Sequence, residues 1–115
     1  MGSGETAFLP VVEKIYFFDS NVKKDVEKFS EPTRTRYVEF LDDLRLGRIS
    51  LKGENIARQG GVLKYRLNDS IRIAFIFQGD REKRVVILGI GDHPKMARIM
   101  PRLENMMKQY RRERL

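Results

Sequence analysis

The chain has 115 residues, with 23 Lys and Arg against 16 Asp and Glu, a formal net charge of +7, no cysteine and one histidine. That length carries one modest core, and without cysteine there are no disulfides or thiolate metal sites. A single imidazole speaks against a histidine-built metal centre, no apolar run approaches the ~20 residues that span a bilayer, and the charge points to an anionic partner, nucleic acid or an acidic protein.

Residues 1–10 read as a flexible N-terminal segment ahead of a single domain over residues 11–115. No secretory leader pattern is visible, so a cytoplasmic protein is expected. Val11 to Phe18 is β-branched and aromatic, which predicts a first strand. Asp19, Ser20 and Asn21 offer N-cap chemistry, and Val22, Val26 and Phe29 recur at helical spacing. Pro32 suits the start of a second helix, whose apolar stripe is Tyr37, Phe40, Leu41 and Leu44, with Gly47 as the stop. So short a linker predicts a helical hairpin. Ser50 to Gly60 has no clear period and reads as an irregular connection with room for a helical turn or a short strand.

The next stretch organises the chain. From Val62, Leu63, Tyr65 and Leu67 point one way and Lys64 and Arg66 the other. Asn68-Asp69-Ser70 is turn material. Ile71, Ile73, Phe75 and Phe77 then share one face, with Arg72, Ala74 and Ile76 on the other, and Arg84 to Ile90 is almost continuously apolar, as in a strand covered on both sides. Beyond Gly-Asp-His-Pro the chain turns helical from Met96, with Pro101 as a start or kink. The predicted fold is α+β in the order β-α-α-β-β-β: an antiparallel sheet, a helical hairpin on one face and a C-terminal helix. A basic concave face is expected opposite the hairpin.

If Lys64, Arg66 and Arg72 share a face, three cations line one surface, a place for phosphate. RNA carries its own nucleophile, the 2′-hydroxyl, beside its scissile phosphate. Cleavage then needs a proton acceptor, positive charge on the crowded phosphorane and a proton donor for the departing 5′-oxygen. Lysine, arginine and histidine can supply all three without metal or cofactor. The candidate catalytic residues are Lys64, Arg66, Arg72 and His93, with Lys52, Arg58, Lys95 and Arg98 as backbone contacts to RNA. The plainer reading is a solvated sheet face and a turn histidine.

The segment Leu63 to Phe77, LKYRLNDSIRIAFIF, resembles the core hairpin of the RelE/ParE toxin superfamily, and VVILGIGDHPKMARI resembles that family's last strand and glycine-containing loop. The resemblance covers roughly Lys14 to Met100. It implies a RelE-like mRNA interferase of a toxin–antitoxin pair that cleaves messenger RNA at the ribosome without metal and is silenced by a cognate acidic antitoxin. By position, Lys64 and Arg66 match the family's basic pair and Arg72 its phosphate-gripping arginine, while His93 falls where one branch carries a catalytic histidine. Ile99 and Met100 stand where RelE-type members have a tyrosine. A ParE-like toxin acting on DNA gyrase, or a non-catalytic basic binding module of the same fold, are the alternatives.

Overall fold

Alternation along the central strands sorts their side chains into two sets, and each set meets different helices. The computed structural model describes residues 11–50, 53–78 and 83–114, with side chains as far as residue 109. The elements are β1 (Lys14–Phe17), α1 (Ser20–Glu27), α2 (Glu31–Arg45), β2 (Ile56–Gln59), β3 (Val62–Arg66), β4 (Arg72–Gln78), β5 (Arg84–Gly91) and α3 (His93–Arg114). They form one five-stranded sheet in the order β1-β5-β4-β3-β2. The α+β class and the helical pair ahead of the core strands are as the sequence indicates. The segment before residue 11 lies outside the described residues.

Three features correct or sharpen the sequence reading. First, β1 pairs with β5 in parallel while the other strand pairs are antiparallel, so the sheet is mixed. Second, the connection with room for a helical turn or a short strand holds the strand, β2, whose Ile56 packs against the core. Gly60 and Gly61, with φ of 58° and 87°, make the tight turn that pairs Gln59 with Val62. Positive φ at both central residues is the type I′ geometry that suits the twist of a hairpin. Third, α3 begins at His93 rather than at Met96 or Pro101. Asp92 caps it: Oδ1 accepts from the Lys95 N–H at 3.0 Å and the Asp92 carbonyl accepts from Met96 N–H at 2.9 Å. Pro94 sits in the first turn, where a missing N–H costs nothing. Pro101 is tolerated inside because Met96, Met100 and Leu103 stay buried on either side of it.

On one face, Leu63, Tyr65, Ile73, Phe75 and Ile87 pack against Val22, Tyr37, Phe40 and Leu44 of the hairpin. The Asp19 side chain caps α1 by accepting from Val22 N–H at 3.0 Å, and Gly47, at φ 65°, lets the chain leave α2. On the other face Val62, Ala74, Ile76 and Leu88 lie under Met96, Met100 and Leu103. The face expected to be open and basic is therefore largely roofed by α3, and the cations gather at one end of it.

A bulge tilts that end. Ala74 pairs with Gly89 but Phe75 pairs with Ile87, leaving Leu88 as the extra residue. Gly89 and Gly91 then both face α3. A Cβ on Gly89 would sit 2.6 Å from Ile99 Cδ1, and one on Gly91 would collide with the Lys95 side chain. Both glycines are the seat of the first turns of α3, which explains the Gly-Ile-Gly run without a phosphate loop.

Two outcomes test this packing. Gly60→Ala forces a side chain into left-handed backbone beside Glu104, whose Cγ would be 2.6 Å from the new Cβ. It is expected to lower unfolding free energy by about 1–2 kcal/mol, read from urea denaturation. Burial pushes the Tyr37 hydroxyl up from its ordinary 10.0 to about 12, with Arg45 opposing. A raised folded-state value means stability is intact below pH 10 and is lost as pH climbs towards 12, because the unfolded chain ionises first. Two units amount to about 2–3 kcal/mol. Tyr37→Phe should flatten that part of the stability-versus-pH curve.

Candidate functional site

Strand alternation and register decide which cations meet. In β3, Lys64 and Arg66 share parity with Val62, which packs under α3, so both are on the α3 side of the sheet. In β4, Arg72 shares parity with Ala74 on that same side. Arg66 and Arg72 are direct cross-strand partners, and Arg72 is in turn opposite Gly91. One row thus reads Arg66, Arg72, Gly91, ending two residues short of His93. The next row reads Ala57, Lys64, Ala74, Gly89. Cα atoms of paired residues are about 5 Å apart and those of Lys64 and Arg66 about 7 Å. The three cationic residues are therefore neighbours on one side of the sheet, at the β3–β4 turn end.

His93 opens α3, exposed, and lies on the flank of the helix that it shares with Ala97 and Glu104. Glu104 packs over Gly60 in the turn before β3, so that flank faces β3 rather than β1. The histidine consequently borders the cation row.

Two like charges placed directly opposite on a sheet repel, and the turn between their strands offsets this. Arg66 Nη2 donates to Asp69 Oδ1 at 2.7 Å. Arg72 Nη1 donates to the carbonyls of Asn68 at 2.9 Å and of Asp69 and Ile71 at 3.4 Å. Lys64 is half-buried between two alanines, and neither it nor His93 has a hydrogen bond or ion pair among the described residues. Such an arrangement can bind a phosphodiester through two guanidiniums, with an amine and an imidazole beside it.

The secondary candidates do not join this cluster. Arg58 pairs with Leu63 and so points to the helical-hairpin side, opposite Lys64. Lys95 Nζ is held by Asp25 Oδ2 at 2.9 Å, tying α3 to α1. Arg98 lies roughly 200° around α3 from buried Met96, on the outer surface. Lys52 lies outside the described residues. Sequence reasoning missed Asn68 and Asp69 as partners of the arginines, although an arginine three residues beyond an Asn-Asp pair is a signal for it. Among the described residues, no three His, Asp or Glu side chains form a metal-binding group, and no helix is long and apolar enough to cross a membrane.

No protein-family model matches the chain, and no curated protein does. Among solved structures it is similar to a chain of the toxin–antitoxin complex RelBE2 from Mycobacterium tuberculosis, with 22% identity and a TM-score of 0.53 over 75% of this chain and 97% of that one. That likeness is one of architecture, and in architecture this chain has the RelE-like fold.

Proposed function

We propose that this protein is the toxin of a toxin–antitoxin pair, a cytoplasmic endoribonuclease that cuts messenger RNA at the ribosome. The observation that carries the reading is the face-to-face placement of Arg66 and Arg72 with Lys64 in the neighbouring row. A fold built only for stability gains nothing from opposing two guanidiniums; an anion between them turns repulsion into attraction. Arg72 and Arg66 grip the non-bridging oxygens of the scissile phosphate. Lys64 and His93 divide the proton transfers: one takes the proton of the 2′-hydroxyl as its oxygen attacks phosphorus, and the other gives a proton to the departing 5′-oxygen. The P–O5′ bond breaks as the 2′-O–P bond forms, leaving a 2′,3′-cyclic phosphate and a 5′-hydroxyl.

An acidic antitoxin would neutralise the same charges. A second surface suits it: an apolar groove of about 450 Å³ lined by Tyr16, Phe18, Val86, Met106 and Met107, with Arg84 at its rim. The test of activity is single-turnover cleavage of mRNA on programmed ribosomes, with the product ends identified. Cyclic-phosphate ends that vanish in His93→Gln and Lys64→Ala support the assignment. Fragments ending in a 5′-phosphate would point to attack by water and overturn it.

One observation favours a non-catalytic relative. Tyr65, Phe75 and Phe77 all face the hairpin side of the sheet, and Ile99 and Met100 pack inward on α3, so among the described residues no aromatic ring borders the cation row to stack a base. If wild-type protein cuts no RNA but blocks DNA gyrase supercoiling, the ParE-like assignment replaces the nuclease.

A further inference from the structure

Asn68 does more in the turn than reverse the chain. Its Oδ1 accepts from the N–H groups of Ser70 and Ile71, both at 2.8 Å. Its Nδ2 donates to Thr33 Oγ1 of α2 at 3.3 Å, and Thr33 is itself bonded by Ser30 Oγ at 3.0 Å. Arg36 Nε donates to the carbonyl of Leu67 at 3.4 Å, a second tie from α2 to the same turn. The turn is thus shaped from inside and moored from outside, and its carbonyls are what the Arg72 guanidinium rests against.

We infer that Asn68 is a positioning residue for anion binding, acting through Arg72. This rests on the reading of the cation row as a phosphate site. An arginine carries several freely rotating bonds, and ordering them at the moment of binding weakens affinity. Three carbonyls fixed by the Asn68 side chain hold the Arg72 guanidinium at the strand end before the anion arrives. Asp69 Oδ1 holds the partner guanidinium in the same way, and its carboxylate is released to solvent, where it is already almost fully exposed, when phosphate takes its place. Mooring to α2 matters because a free turn would move with its arginines and order nothing.

The test is binding of a short, uncleavable 2′-O-methyl RNA by fluorescence anisotropy across a salt series. The set is wild type, Asn68→Ala, Thr33→Val, Arg72→Ala and the Asn68→Ala/Arg72→Ala double variant, each with its melting temperature. Asn68→Ala is expected to weaken binding roughly three- to tenfold. Thr33→Val, which cuts one of the turn's two ties to α2 but leaves its inner bonds, should weaken it about twofold, and serves if Asn68→Ala folds poorly. The double variant should bind no more weakly than Arg72→Ala alone, since a positioning residue has nothing left to position. A residue that only stabilises the turn would lower the melting temperature and leave affinity unchanged, and that result overturns the inference. So does strict additivity in the double variant. If Arg72→Ala itself binds as wild type does, the phosphate-site reading falls first and the inference with it.

Discussion

Arg72→Ala is expected to slow single-turnover mRNA cleavage by about two to three orders of magnitude, the loss that follows removal of one preorganised charge aimed at the reacting group. The protein should remain folded, with unfolding free energy changed by less than about 1 kcal/mol. Arg72 is only half-buried, and its loss also relieves the repulsion with Arg66 across the strand pair. Arg72→Lys should recover little of the rate. A lysine keeps the charge but cannot present two parallel N–H bonds or lie across the carbonyls of Asn68, Asp69 and Ile71. Cleavage at the wild-type rate in Arg72→Ala would remove this residue from the site and, with it, the strongest reason for placing a phosphate there.

Phe40→Ala should be the most damaging single change to the fold, costing about 3–5 kcal/mol. Its ring is 1% exposed, stacks on Tyr65 with centroids 4.5 Å apart and meets Phe75 edge-on at 5.5 Å. It is therefore the point at which α2 grips both strands that carry the cations. In a domain of this size total stability is about 5–15 kcal/mol, so the variant should be partly unfolded at physiological temperature. Circular dichroism with urea gives the measurement; a loss under 1 kcal/mol would mean that α2 is not the clamp described.

Much of this architecture could be read from local pattern. Lys64 and Arg66 share a face because strand side chains alternate, and Arg72 joins them because the turn pairs it with Arg66, a register that the sequence left open. The helical pair announced itself through Asp19, Pro32 and Gly47. What stayed hidden depends on partners far away in the chain. The β1–β5 pairing joins residue 14 to residue 84, and no local signal marks it as parallel. Strand β2 carries one core residue, Ile56, and is a strand because β3 offers it an edge. The face of Arg58 follows from that pairing and could not be known before it. The Lys95–Asp25 pair spans 70 positions, so Lys95 looked available for RNA. The start of α3 was masked by Pro94 and Pro101, though Asp92 was in place as a cap.

The parallel seam between the first and last strands also sets an order of events during synthesis. β1 leaves the ribosome early but has no hydrogen-bonding neighbour until β5 follows it. Contacts of such long range are slow to form. A nascent chain that ends after β4 holds the arginines but neither the strand that carries Gly91 nor the histidine behind it. Pulse-labelled exchange should show the β1 amides gaining protection only together with those of β5. For the nuclease proposed above, a growing chain would be harmless to the ribosome that makes it until β5 and α3 have emerged.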